Sequence, residues 1–153
     1  MRAPLRIPHG LRGTSLVRVV GVIDDESTYL GSTSRYPNIS SSASCTGGNG
    51  YSTIGFGSLP YGVAAMACAY RIVNGVAQEG DVRLATGVKW ATSSATCSDA
   101  YLVEAVMTHE FGHIYGLKHV TSSALTMYRA LPKCSMAAAT LGLGDLRGLE
   151  RKY

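Results

Sequence analysis

One short segment constrains this chain more than any other: His109 to His119, which reads H-E-x-x-H-x-x-G-x-x-H. His109 and His113 are four residues apart, so on a helix their imidazoles lie one turn apart on the same face. Gly116 can adopt a positive φ at little cost, which predicts that the helix ends there and that the chain turns back. The turn would bring His119 towards the other two histidines as a third ligand for one metal ion.

The residue types in this segment indicate a catalytic zinc site. Structural zinc sites fill all four coordination positions and favour cysteine, whereas three imidazoles leave one position open. Glu110 lies about 100° around the helix from the first histidine, within reach of a zinc-bound water but not of the metal. The alternative is a set of ordinary buried helix histidines, but every fixed position of the pattern has a chemical role. The fourth histidine, His9, is expected to be a solvated tail residue.

The extended motif resembles the zinc site of the metzincin endopeptidases. Those enzymes have a Met-turn beneath the metal, and here Leu125-Thr126-Met127-Tyr128 follows the third histidine at a suitable distance. Met127 matches the Met-turn methionine, although a methionine can also be plain core filling. Within the metzincins, the chain is most similar to the matrixins and their small secreted bacterial relatives. It resembles the snapalysins less, because their third ligand is aspartate.

The resemblance implies a zinc-dependent endopeptidase that hydrolyses peptide bonds in extended polypeptides. One catalytic zinc would be held by His109, His113 and His119, and Glu110 would be the general base. The fold implied is α+β and zincin-like, with a mixed twisted sheet, an active-site helix and a small C-terminal subdomain.

We expect one catalytic domain over residues 1–153, a length sufficient for a hydrophobic core. The resemblance is poor over residues 1–27. It covers the sheet and the active-site helix over 28–116, and the C-terminal subdomain with the Met-turn over 117–153. Matrixin domains open with a strand, a long helix behind the sheet and a second strand, for which this chain has too few residues. We therefore expect the backing helix to be missing or reduced.

Composition and charge argue against several other classes of protein. The chain is 46% hydrophobic and 16% charged, as expected of a globular domain. No apolar run approaches the roughly 20 residues of a membrane span. The net charge of +4 comes with a basic N-terminus, but without the aromatic-interleaved basic stripe of a nucleic-acid-binding module. We expect a monomer that binds protein or peptide substrate, and neither nucleic acid nor a membrane.

The four cysteines contain no C-x-x-C pair, which argues against a thiolate zinc site. Of the three possible pairings, we expect Cys97–Cys134 and Cys45–Cys68. The first would join the segment before the active-site helix to the segment after the Met-turn. Free thiols in a reducing cytosol are the alternative. The resemblance and the cysteines favour a secreted protein, although no apolar signal-peptide core follows Met1.

Several strands are predicted before the motif. A β-branched run at Ser15–Ile23 predicts a buried strand, and the Ser-, Gly- and Asn-rich residues 32–53 predict a long surface loop. Further strands are expected at 54–57 and 63–73. Asn74-Gly75 is a strong hairpin signal, and the return strand is expected at 81–85.

The active-site helix is predicted to run from about Asp99 to Tyr115, with Ser98 or Asp99 as its N-cap. Residues Met107 and Ile114 would pack against the sheet. Beyond the Met-turn, the leucines of segment 141–149 resemble the packing face of the closing helix of matrixin domains.

Substrate contacts are implied by the resemblance. In matrixins the equivalent of 63–70 is an edge strand that pairs with substrate, and the segment after the Met-turn forms the outer wall of the specificity pocket. Ala105 stands where matrixins adjust pocket depth, and a small residue there would admit a bulky apolar side chain. The expected substrate-binding residues are Val63, Ala64, Ala65, Met66, Ala105, Val106, Tyr128 and Leu131.

The chain departs from animal matrixins that hold a structural zinc and calcium in this region. Met66 and Arg83 stand where two structural-zinc histidines would be, and Ala85 and Val88 stand at acidic calcium ligands. None of these four side chains suits those metals. We therefore expect no structural zinc and no calcium there, with disulfides as the stabilising element.

Two other functions remain compatible with the sequence. One is a metzincin-like zinc-binding protein that is truncated or inactive, although Glu110 has no purpose in a mere zinc holder. The other is an interaction module that holds peptides along an exposed sheet edge. Loss of protein digestion after Glu110→Gln would distinguish the peptidase from both.

Overall fold

The computed structural model describes residues 52–152, together with 38–40, 45, 47, 48 and 50. The strand predicted at Ser15–Ile23, and all of segment 1–27, lie outside these residues. The described part is α+β, with a mixed sheet and two helices.

The main sheet has four strands in the order β1-β2-β4-β3. The pairs β1–β2 and β2–β4 are parallel, whereas β3 and β4 are antiparallel. The strands are β1 Asn38–Ser40, β2 Thr53–Gly57, β3 Ala65–Val73 and β4 Val76–Ala85. The prediction of an uninterrupted loop over 32–53 is wrong at β1, because backbone pairing with β2 forms a strand despite the polar composition.

The turn between β3 and β4 is the predicted Asn74-Gly75 hairpin. Both residues have positive φ, 51° and 78°, as a two-residue type I′ turn requires. Val73 and Val76 pair directly across it. The return strand β4 therefore begins at the turn, five residues before the predicted start at Asp81. The hairpin leaves β3 as an outer strand of the described sheet.

A second, two-stranded sheet precedes the first helix. Because of this sheet, the predicted helix start near Asp99 is wrong. Strands β5 Trp90–Ala91 and β6 Tyr101–Leu102 pair in parallel. Helix α1 therefore spans Val103–Ile114, with Leu102 as its N-cap and no side-chain cap. Asp99, predicted as a cap, has φ 48° and bonds Lys133 Nζ at 2.6 Å.

The main core lies between α1 and one face of the sheet. Val82 and Leu84 of β4 are buried against Met107, Phe111 and Ile114 of α1. Gly80 allows the helix to approach closely, since a Cβ there would lie 2.8 Å from Ile114 Cδ1. This contact holds helix α1, which carries the motif, against strand β4.

The opposite face of the sheet carries buried acidic side chains. Alternation along β4 places Glu79 and Asp81 on this face, and both are buried. Asp81 Oδ1 accepts hydrogen bonds from the Thr53 N–H at 2.9 Å and the Thr53 hydroxyl at 2.7 Å. Glu79 Oε2 accepts one from the Gly50 N–H at 2.8 Å. These bonds join the start of β2, and Gly50 before it, to β4.

The two disulfide bonds join Cys45 to Cys68 and Cys97 to Cys134, which are the expected pairs. The first attaches the segment before β2 to strand β3. The second attaches the segment before α1 to the chain beyond the Met-turn.

Helix α2 spans Leu143–Lys152 and closes the described chain. The prediction that its leucines form one packing face is correct for Leu149, which is buried, and wrong for Leu143, which is 64% exposed. Asp145, in the first turn, is buried instead. Among the described residues, no helix has both the length and the apolar character needed to cross a bilayer.

Candidate metal centre and active site

The end of α1 places the third histidine. The N–H of Gly116 bonds the carbonyl of His113 at 2.8 Å, and the N–H of Leu117 bonds that of Gly112 at 2.9 Å. This pair of bonds, with Gly116 at φ 85°, is a Schellman motif. The chain therefore turns back after one glycine and brings His119 over the helix face that carries His109 and His113.

The three imidazoles converge on one point. His119 Nε2 lies 3.1 Å from His109 Nε2 and 3.1 Å from His113 Nε2. Ligand nitrogens about 2.0–2.1 Å from a tetrahedral zinc lie about 3.3 Å from one another, so these separations fit that ion. In the part of the chain that the structure describes, these residues form the one cluster of three or more His, Cys, Asp or Glu able to hold a metal.

The other ring nitrogens of two ligands are held by backbone carbonyls. His109 Nδ1 lies 2.7 Å from the Thr126 carbonyl oxygen, and His113 Nδ1 lies 3.0 Å from that of Leu117. A neutral ring that donates from Nδ1 has its lone pair on Nε2. Burial also lowers the pKa of His109 to about 4 and lowers that of His119. The rings of His109 and His119 are therefore neutral at pH 7, as a metal ligand must be.

Lone pairs this close repel one another unless a cation lies between them. The donor set, its spacing and its tautomers therefore fit a zinc ion bound by three imidazoles. The geometry does not fit three ordinary buried histidines, which would direct their Nε2 atoms towards separate acceptors.

Glu110 is the acidic side chain beside this centre. It is 6% exposed, and burial raises its pKa to about 7, although a hydrogen bond from the Ala67 backbone lowers the pKa in part. Ala67 belongs to β3, so the outer strand holds the carboxylate in position. A carboxylate with a pKa near neutrality is able both to accept and to return a proton.

Met127 lies beneath the helix and is 1% exposed. A Cβ built at Gly112, between the two helix ligands, would overlap Met127 Sδ and lie 3.1 Å from its Cε. The glycine inside the motif therefore permits the methionine to pack directly against the ligand helix, as in a Met-turn.

A family model described as matrixin matches residues 59–153, which is more than half of the chain. The chain belongs to the matrixin family. A search of curated proteins finds no match. The family and the histidine triad together indicate a zinc metallopeptidase.

We predict that Gly112→Ala destabilises this matrixin by up to about 2 kcal/mol. Overpacking costs about 1–3 kcal/mol, and the better helix propensity of alanine offsets about 1 kcal/mol. Denaturant unfolding of the metal-free proteins measures the change. Gly87→Ala is the control, because a Cβ there meets no atom within 4 Å. Equal unfolding midpoints for the two variants would show that the glycine is not needed for the methionine contact.

Sequence reasoning missed the support of the first ligand by α2. Asp145 Oδ2 accepts hydrogen bonds from the N–H groups of Thr126 and Gly142, both at 3.0 Å. The carbonyl of the same Thr126 accepts from His109. A buried carboxylate thus fixes the backbone that orients the imidazole. Its signal in the sequence is weak, since an Asp near a helix start normally indicates an ordinary cap.

A cavity of about 350 Å³ opens beside the metal centre, and His109, Glu110 and His119 line it. Five of the eight expected substrate-binding residues also line it, and their contact with substrate remains a prediction. They are Val63, Ala64, Ala65, Val106 and Leu131.

The other three expected residues do not line this cavity. Met66 alternates with the inward-facing Ala65 along β3, so its side chain lies on the opposite face of the sheet. Ala105 is buried in a cluster with Ala138 and Ala139 and is not part of the lining, and its effect on pocket depth remains a prediction. Tyr128 forms a backbone bridge with Val120 and lies outside the lining.

Of the remaining lining residues, Gly62 and Tyr101 were not predicted from the sequence as cavity residues. Tyr101 reaches the cavity because β6 ends directly before α1. Gly62 lies next to the expected Val63 along the chain, and that position is its one signal. Arg129 and Ala130 belong to the segment after the Met-turn, which the resemblance implied as the outer wall of the pocket.

The absence of a structural zinc and calcium remains a prediction. Met66 and Arg83 are direct partners across β3 and β4, which is the pairing expected of two ligands for one ion. Neither side chain can ligate zinc in that role. Ala85 is buried and has no oxygen in its side chain to offer calcium.

Proposed function

We propose that this matrixin is a zinc-dependent endopeptidase in which Glu110 is the general base. The observation that carries the proposal is the convergence of three Nε2 atoms at one wall of a cavity that the buried Glu110 also lines. A pure zinc store would not require a carboxylate with a raised pKa facing an open cavity.

Zinc held by the three histidines would lower the pKa of bound water and polarise the scissile carbonyl. Glu110 accepts a proton from the attacking water and donates it to the leaving nitrogen. The Ala67 N–H keeps the carboxylate aimed during both transfers. The Thr126 and Leu117 carbonyls keep two ligand rings in the correct tautomer.

Strand β3 supports the binding of an extended substrate. The Ala85 N–H bonds the Ala64 carbonyl at 2.8 Å, so Ala64 is directed towards β4, and the backbone groups of Ala65 and Ala67 turn towards the outer side of the strand. Glu110 uses the N–H of Ala67. The N–H and C=O of Ala65, which lines the cavity, are placed to pair with substrate by β-augmentation.

The wider setting forms part of the same proposal. Two disulfides favour an oxidising compartment, so we propose a secreted enzyme that acts as a monomer on proteins or peptides. Residues 1–153 would be one catalytic domain, with 117–153 as the subdomain that supplies His119 and the Met-turn.

Casein digestion by the purified, disulfide-intact chain tests the proposal. We expect cleavage that stops after removal of zinc by 1,10-phenanthroline and dialysis, and that returns with one equivalent of zinc. Zinc binding without cleavage of casein, gelatin or a mixed peptide library would contradict the peptidase. It would favour the truncated or inactive zinc-binding reading, or, if peptides were retained, the peptide-binding one.

A further inference from the structure

Arg129 is an exposed cation on the wall of the active-site cavity. It follows the buried Met127 by two residues, so the Met-turn fixes its backbone. Among the residues that the structure describes, no ion pair is found between Arg129 and an acidic side chain. Its charge is therefore available to a ligand in the cavity.

The rest of the cavity makes this charge distinctive. Apart from His109, Glu110 and His119, the other lining residues are apolar, aromatic or glycine. Glu110 is buried and held by β3, so it does not neutralise the guanidinium at the wall. Arg129 lines the same cavity as the metal ligand His119. Apart from the zinc ion of the proposed site, a substrate residue entering the cavity therefore meets one fixed positive charge, that of Arg129.

We propose that Arg129 determines specificity by binding a substrate carboxylate next to the scissile bond. A guanidinium presents two parallel N–H groups that match a carboxylate, and such charge-assisted bonds are stronger than neutral ones. The inference rests on the proposed peptidase function and names the substrate class of that site. The carboxylate comes either from an acidic side chain or from the C-terminus of a short peptide.

This preference differs from the bulky apolar side chain expected from Ala105, which does not line the cavity. The apolar walls contact the aliphatic part of a Glu side chain, while Arg129 binds its end. Long-range attraction acts in the same direction, because the chain has a net charge of +4. A solvated surface arginine without function would show no such dependence on substrate charge.

Matched quenched-fluorescent peptides test the inference with the zinc-loaded protein. One series places Glu or Gln at each position around the scissile bond, and a second ends in a free acid or an amide. We expect the wild type to cleave the best acidic peptide with a kcat/KM about 5-fold above its neutral partner, as for a partly exposed charge-assisted pair. The series that shows the preference identifies the source of the carboxylate.

The variants are Arg129→Met, Arg129→Glu and the control Arg147→Met, which removes an exposed cation from α2 outside the cavity lining. Arg129→Met should bring the ratio to about 1, and Arg129→Glu should reverse it in favour of Lys peptides. Arg147→Met should keep the wild-type ratio. Added salt should reduce the wild-type preference.

Three results overturn the inference. A wild type with no preference between acidic and neutral peptides refutes it. A preference that survives Arg129→Met refutes the role of this residue, and equal losses on both peptides would show a structural role. Cleavage of none of the peptides refutes the peptidase proposal itself, so the two failures are distinct.

Discussion

Replacing Glu110 by glutamine is expected to lower kcat/KM for peptide hydrolysis by about 10³-fold while zinc remains bound. Glutamine has nearly the same shape, but it cannot accept a proton at neutral pH, and general-base catalysis contributes about 10²–10⁴-fold. The substitution should leave the three zinc ligands in place. Backbone carbonyls hold the rings of His109 and His113, and His119 lies against His113. Peptide cleavage and zinc content, measured on the same preparation, provide the test.

Glu104→Gln is the matched control for this substitution. Glu104 lies in the first turn of the same helix and does not line the active-site cavity. Its activity should stay near that of the wild type. If Glu110→Gln kept more than a tenth of wild-type activity with full zinc, another group would have to be the base, and the proposed mechanism would fail.

The zinc-site geometry was predictable because its determinants are local. The four-residue spacing of His109 and His113 and the positive φ of Gly116 depend on helix periodicity and backbone sterics alone. The Asn74-Gly75 hairpin belongs to the same class, since its two residues suit the turn without any distant contact. Where neighbouring residues decide the structure, the sequence is sufficient.

The start of the active-site helix was not predictable from its own residues. Asp99 is a good N-cap by type, but it bonds Lys133, which is distant in sequence. Tyr101 and Leu102 then pair with Trp90 and Ala91 as a strand. These tertiary contacts thus outweighed the preference of Asp99 for an N-cap position. They also placed Tyr101 in the cavity.

The support of His109 was missed for a similar reason. Asp145 lies far along the chain, and its carboxylate is linked by hydrogen bonds to His109 through the backbone of Thr126. No pattern in the sequence joins those three residues. The second large prediction follows from this connection.

Asp145→Ala is expected to weaken zinc binding by about 10–100-fold, the usual effect of removing the support of a metal ligand. The substitution leaves the buried Thr126 N–H and the Gly142 N–H without their acceptor, which costs about 1–3 kcal/mol for each unsatisfied group. The Thr126 carbonyl is then free to rotate away from His109 Nδ1. Competition with a chromogenic chelator measures the zinc dissociation constant.

Two further variants separate positioning from a general loss of stability. Asp145→Asn keeps one carbonyl oxygen that can accept both hydrogen bonds, so zinc affinity should fall by less than about 10-fold. Glu150→Ala removes an exposed acid from the same helix and should leave the affinity unchanged. If Asp145→Ala unfolded at lower denaturant yet bound zinc as tightly as the wild type, the carboxylate would stabilise α2 alone. The path through Thr126 to His109 would then have no part in holding the metal.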